Sequence, residues 1–377
     1  MDKFFIVISV VIVATTLTNR EFWDFGGIFA LLAYVIAIFI KDAVNKNTSK
    51  YRLPPHAEKY LIFLFLLAVS FIWSLDTKLE LLYFSYFVSG FLFWLISYNS
   101  NIIFKNFYNL VVVIGVFYGI LTLIYVLTGD PAKISPLSLI KYSVAPLHHH
   151  HIADLWSIVL IVCALLITKG KKIYWFLMPV GFYFLVLGLS RSSYVALMSG
   201  SVYVLWRGQL KYRFKYLFVF LIIASIALFI YASNKKSTLY AHSAYIVQGI
   251  VGTAKNPFGV GLGNFSLLSN NPNYDFLKSK VGSSSAHNII LEVVSGLGVF
   301  SVSFLYWLYL TFKDVFKRQK KYKSMNAEKL IYRAMFLTIF VNFLFDYTYF
   351  IPVMFWLWFV SLGLAQKSGS VKLKSES

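Results

Sequence analysis

The chain has a single cysteine, Cys163, which lies inside an apolar run, so neither a disulfide framework nor a cysteine metal site can be built from it. Acid is scarce as well: 15 Asp and Glu stand against 35 Lys and Arg, a formal net charge of +20. Charged residues together make up 13% of the 377 residues while hydrophobic ones make up 59%, a balance that a water-soluble domain does not carry. No internal repeat is evident, which argues against the two related halves of an inverted-repeat transporter. Neither a metal-protease helix motif nor a serine-hydrolase elbow occurs.

What fills the chain is apolar sequence in long runs. They are read as residues 4–18, 24–40, 60–75, 81–97, 107–127, 152–168, 174–189, 194–206, 216–232, 288–312, 331–347 and 352–366. Most approach the roughly 20 residues that a helix needs to cross a hydrocarbon core. They predict an all-α polytopic membrane protein of about 12 transmembrane helices that forms a single domain over residues 1–377. Lys3 and the apolar run after it resemble a signal peptide, but no small-x-small cleavage site follows before Asn19 and Arg20, so the first span is expected to stay.

The basic residues separate by side. With a cytoplasmic N-terminus, the inner segments collect Lys41, Lys46, Lys50, Arg52 and Lys59, then Lys169, Lys171 and Lys172, then Arg207, Lys211, Arg213 and Lys215. The segment from Lys313 to Arg333 and the tail with Lys367, Lys372 and Lys374 fall on the same side, the bias that orients membrane proteins. Both termini then face the cytoplasm. The positive charge is accounted for by the bilayer, and nucleic acid is not an expected partner.

Two outer segments are long, Gly129 to His151 and Ser233 to His287, and long loops tend to carry function. The second, residues 233–287 between helices 9 and 10, is the expected periplasmic loop. It begins LYAHSAYIVQGIVGTA, whose spacing suits a short interfacial helix that Asn256-Pro257 would end. Gly259, Gly261 and Gly263 follow. No strand precedes them and no Walker lysine follows, so they read as a tight turn with close backbone approach rather than a nucleotide loop.

Ionisable residues within spans are costly and mark sites. Asp154 stands at the start of the sixth span, Arg191 at the end of the seventh, Glu292 one turn into the tenth and Asp346 at the end of the eleventh, all toward the outer side. That distribution implies a polar cavity opening outward. Arg191, flanked by Ser190, Ser192 and Ser193, can offer a fork of donors to a phosphate. His287 and Asn288 begin the tenth span, where Ser285 or a neighbouring serine can cap the helix and its positive dipole end suits an anion. Glu292, four residues after Asn288, is expected on the same helix face. His148 to His151 run consecutively, but adjacent side chains point different ways and match no tetrahedral pattern. No metal is therefore expected, and the run reads as a polar collar in which one histidine, His151, contacts substrate.

The order of a Ser-Arg hairpin, a long outer loop with NPFGVGLGNF, and SAHNIILEVVSGLGVF opening a span resembles the O-antigen ligase and polymerase superfamily of inner-membrane glycosyltransferases. The match is closest over residues 240–305. The resemblance implies transfer of a saccharide from an undecaprenyl pyrophosphate carrier to a sugar hydroxyl at the periplasmic face, with no cofactor and no metal. It implies that Arg191 stabilises the leaving pyrophosphate and that His287 positions or deprotonates the acceptor hydroxyl, with Glu292 and Asp154 as alternative bases; Asn288, Asp154 and His151 are expected to bind substrate. Many members carry an arginine near the start of the loop helix. Here His242 stands there, with Lys235, Lys236 or Lys255 as the alternative second cation.

A polymerase that joins lipid-linked repeat units is the first expectation, on the serine-rich lead into Ala286-His287-Asn288 and the content of 26 Tyr and 37 Phe. A ligase to lipid A-core is the second and a lipid-linked saccharide flippase the third, with a chain-length regulator as a candidate partner. The topology is testable. Asn271→Cys should react with a membrane-impermeant thiol reagent from the periplasmic side, and labelling only after inner-membrane disruption would reverse the orientation.

Overall fold

The computed structural model describes residues 52–99, 107–128, 149–208, 210–235, 239–270, 285–317 and 327–367. The expected spans 4–18 and 24–40, the outer segment up to His148, Lys236, the region of Asn271 and the side chains of Lys235 and His242 lie outside the described residues. Everything described is helix or connection. The helices are α1 (Ala57–Val69), α2 (Thr77–Asn99), α3 (Phe107–Thr128), α4 (His149–Thr168), α5 (Leu177–Gly188), α6 (Arg191–Arg207) and α7 (Tyr212–Lys235). They continue as α8 (Leu239–Lys255), α9 (Phe265–Ser269), α10 (Ile289–Leu297), α11 (Val302–Phe316), α12 (Ala327–Phe345) and α13 (Pro352–Lys367).

Among the described residues, four helical segments are long and apolar enough to cross a membrane: Thr77–Asn99, His151–Thr168, Tyr212–Asn234 and Ile289–Phe316. The last of these, expected as one continuous span from 288, is broken. Gly298 takes φ 54° and a 3-10 turn over Gly298–Ser301 separates α10 from α11, because Val299 donates its N–H to the Pro257 carbonyl instead of continuing the helix. The apolar surface is arranged as in a lipid-facing bundle. Phe65 on α1, Val113 and Ile120 on α3, and Phe220, Ile223 and Ile230 on α7 all point outward from the protein.

The core is α4. Its sequence is apolar all round, and from His151 to Leu166 every residue is buried, as expected of a helix ringed by other helices. α3, α5, α6 and α12 surround it. Small residues let them approach: Gly115 meets Val159, Gly181 meets Leu160, and Gly200 meets Ile161 and Thr338. On the other side of the bundle α13 packs along α2 and α11 along α1, joined by an aromatic layer of Tyr60, Trp94, Trp307 and Phe359.

The segment expected as a short interfacial helix forms α8, and it stops at Lys255 where Asn256-Pro257 begins. The glycine turn that follows has φ 81°, 91° and 87° at Gly259, Gly261 and Gly263, the left-handed side where a side chain is strained. It is a structural staple. Val260 and Gly261 donate their N–H groups to the carbonyls of Ser295 and Gly296 on α10, while Leu75, ahead of α2, donates to Val260. Trp73 adds its indole N–H to the Phe258 carbonyl at 2.9 Å. A Cβ on Gly263 would run into the Tyr83 ring. Gly263→Ala should therefore destabilise the protein by about 1–3 kcal/mol through backbone strain, with the clash adding to it. Thermal unfolding in detergent would show it, and an unchanged midpoint would mean that the turn is not needed.

Candidate functional site

Four helix ends meet at one end of the bundle: the N-termini of α4, α6 and α10 and the C-terminus of α12. Each sets one or more polar side chains there.

The deepest is Asp154, one turn into α4 and fully buried. Its Oδ1 accepts from three hydroxyls on the start of α6: Ser190 at 3.1 Å, Ser192 at 2.9 Å and Ser193 at 2.5 Å. Ser190 is also the N-cap of α6, accepting from the Ser193 N–H. The SRSS sequence thus binds its own helix start and the carboxylate with the same side chains. Arg191, the first residue of α6 and flanked in the chain by Ser190 and Ser192, is half-buried. From α12, Asn342 donates to the Asp154 carbonyl at 3.3 Å and to the Ser157 hydroxyl at 3.2 Å, closing the third side.

Just past α12, Asp346 turns its carboxylate back to accept from the Tyr347 N–H at 2.7 Å. Its other oxygen lies 3.5 Å from the Ser192 hydroxyl, and Nδ1 of His287 lies 3.5 Å from Oδ1. The imidazole of His287 is one-fifth exposed, stacked on Tyr245 of α8 at 5.4 Å and edge-on to Tyr347 at 4.8 Å. Tyr347 also meets His151 of α4 edge-on at 4.7 Å, so a single ring separates the two histidines.

His287 has φ 50°, a left-handed conformation that is uncommon for a residue with a side chain. Its neighbours explain why it is held. On one side the Ala286 N–H donates to Glu292 at 2.9 Å. On the other, Asn288 caps α10 by accepting from Ile290 and Leu291 at 2.9 and 3.0 Å, and donates across to the Leu344 carbonyl at 2.9 Å. The chain is fixed on both flanks, and His287 takes the angle left between them.

The cap of α10 is thus Asn288 itself and not a preceding serine, and this separates Asn288 from Glu292. An N-cap residue has extended backbone, φ −157° here, so the four-residue rule that would put Asn288 and Glu292 on one face does not apply across it. Glu292, 2% exposed, turns toward Ala286 and the Tyr349 hydroxyl at 3.2 Å and lines a small cavity with Tyr83, Tyr86 and Ile289. Glu292 and Asn288 shape the backbone at His287.

Compared with known proteins, the chain matches no family model and no curated protein.

Of the residues singled out from the sequence, the structure brings Asp154, Arg191, His151 and His287 to the same end of the bundle. Lys255 ends α8 and sits ten residues beyond Tyr245, about 15 Å along the helix axis from the ring that contacts His287. His242 is one turn before Tyr245 in α8, its side chain outside the described residues. Asp346, Tyr245 and Tyr347 are what sequence reasoning left out of the site. Asp346 shared the outer depth of the other acids, which was the available signal. Nothing in the spacing of Tyr245 and Tyr347 marked them among 26 tyrosines.

Asn288→Ala should cost about 0.5–2 kcal/mol, the usual loss for an N-cap, and release His287 from its strained angle. Asn288→Asp keeps the cap acceptor and should lose less. Equal stability of Asn288→Ala and the wild type in chemical unfolding would remove the cap from this account.

Proposed function

We propose that the protein is a membrane glycosyltransferase of the O-antigen polymerase and ligase type, drawing its donor from a lipid pyrophosphate carrier on the periplasmic side. The observation that carries the reading is the meeting, at one end of an apolar bundle, of Arg191 at a helix start with a His287–Asp346 pair 3.5 Å apart. The opposite end holds Lys169, Arg207, Lys313, Lys329 and Arg333, at the other termini of α4, α6, α11 and α12, and that basic bias supports an outward-facing site. The core of α4 from Leu155 to Ile167 has no charged residue, which favours chemistry at one face over passage of a charged saccharide through the middle.

In this reading the acceptor sugar hydroxyl attacks the anomeric carbon of the donor. The new C–O bond forms as the bond from that carbon to the pyrophosphate oxygen breaks. The hydroxyl proton passes to His287, which Asp346 orients and whose imidazolium it would balance. The charge that develops on the departing lipid pyrophosphate is met by Arg191 and by the N-terminal ends of α6 and α10. Asp154, whose Oδ1 accepts from three serine hydroxyls at the start of α6, sets the position of Arg191. Tyr245 and Tyr347 flank the imidazole and offer ring faces on which a sugar can pack.

Polymerase is the form preferred, with the donor glycan transferred to another lipid-linked repeat unit within an inner membrane whose cytoplasmic face holds both termini. Arg191→Ala and His287→Ala should each reduce chain growth by about 10²-fold or more while the protein stays in the membrane. Normal long-chain glycan from both variants would overturn the reading. In a deletion strain, lipid A-core bearing one repeat unit marks a missing polymerase, and polymer stranded on undecaprenyl pyrophosphate marks a missing ligase.

A further inference from the structure

We propose that His151, Asp154 and Asp346 form a binding site for one divalent metal ion with mixed nitrogen and oxygen preference, Zn²⁺ or Mn²⁺. The inference does not rest on glycosyl transfer, and it departs from the metal-free chemistry that the family resemblance implies.

The first ground is geometry. One donor atom from each of the three residues lies within 4.8 Å of the others, and all three residues are buried. Ligands bound about 2.1–2.4 Å from an ion stand about 3–4.2 Å apart, and up to about 4.8 Å only for a pair directly opposite across it, so the three reach one ion once their side chains close in on it. His151 and Asp154 are three apart on α4 and share a face, and Asp346 comes to them from the end of α12. The His148 to His151 run has no tetrahedral spacing within itself. Folding instead selects its last member and pairs it with carboxylates distant in sequence.

The second ground is an orphaned atom. All three serine hydroxyls on Asp154 go to Oδ1, while Oδ2 is buried with no hydrogen-bond partner in a residue of 0% exposure. Buried polar atoms are almost always satisfied, and an exception calls for a bound group or ion. A second carboxylate stands beside it, which makes an unneutralised arrangement costlier still and a cation the natural partner. The serines then serve as the outer shell that aims a liganding carboxylate, and Tyr347 holds the His151 ring edge-on. Imidazole with carboxylates fits zinc or manganese, whereas calcium and magnesium favour oxygen alone.

The test uses the full chain purified in nanodiscs, stripped with a chelator and titrated with Mn²⁺ by electron paramagnetic resonance and with Zn²⁺ by elemental analysis after gel filtration. One equivalent of ion should bind, with hyperfine coupling of bound Mn²⁺ to an imidazole nitrogen. Asp154→Asn and Asp346→Asn should each weaken binding about 10-fold or more. The triple variant His148→Ala, His149→Ala, His150→Ala should bind as the wild type does. The site is refuted if the wild type binds neither ion saturably, if bound Mn²⁺ shows no nitrogen coupling, or if the triple variant loses the ion while the aspartate variants keep it. Should the aspartate variants fail to fold, the wild-type stoichiometry and coupling decide the question alone.

Discussion

A carboxylate placed inside an apolar bundle must be compensated where it stands, and Asp154 is that constraint here. Left bare, it would cost several kcal/mol. Its compensation comes from three hydroxyls within one turn of α6, so the interaction fixes where α6 starts and how it is rotated about its axis. The position of Arg191 follows from that, since it stands between two of those serines in the chain. Asn342 extends the same junction to α12 through the Asp154 carbonyl, and the direction in which α12 ends decides where Asp346 appears. A buried charge thereby sets the geometry of groups that lie nearer the surface.

His287 depends on a second kind of constraint. Its φ of 50° is held by contacts of its neighbours, Ala286 with Glu292 and Asn288 with α10 and Leu344. The strain is of order 1–3 kcal/mol, small beside the cost of pulling three anchored groups away. The imidazole is accordingly presented to Asp346 before any ligand arrives, with Tyr245 covering one face. The glycine staple holds the other end of α10 against α2, so the helix that carries His287 is pinned at both ends.

Much of this architecture could be read from residue order. Long apolar runs marked α1 to α7 and α10 to α13, because helix length and apolar length are set by the same physical requirement. Asn256-Pro257 marked the end of α8, and three alternate glycines marked a turn that needs positive φ. The shared depth of Asp154, Arg191, His287 and Asp346 followed from counting positions along spans. What periodicity could not supply was the direction of side chains at helix starts. Asn288 caps α10 with extended backbone, so Glu292 faces elsewhere, toward Tyr349. The break at Gly298 was hidden for a similar reason: it depends on the Pro257 carbonyl, far off in sequence, which accepts from the Val299 N–H. The serines around Arg191 were read as companions of a phosphate site, and the structure turns them inward to a carboxylate.

The burial of α4 from His151 to Ile167 bears on how such a chain is assembled. A helix buried among other helices cannot reach its final surroundings when it leaves the ribosome, because three of the four helices around it, α5, α6 and α12, are synthesised later. The serines of α6 arrive within the next hairpin and relieve Asp154 early. Asn342 and the packing of α12 arrive only near the end of synthesis, so the seam along α4 is a contact of high sequence separation that forms last. Until then the most deeply buried span of the bundle must be shielded by partners it will not keep. Damage to α12 would accordingly register first as failed maturation of the whole bundle, before any effect on the polar groups at its tip.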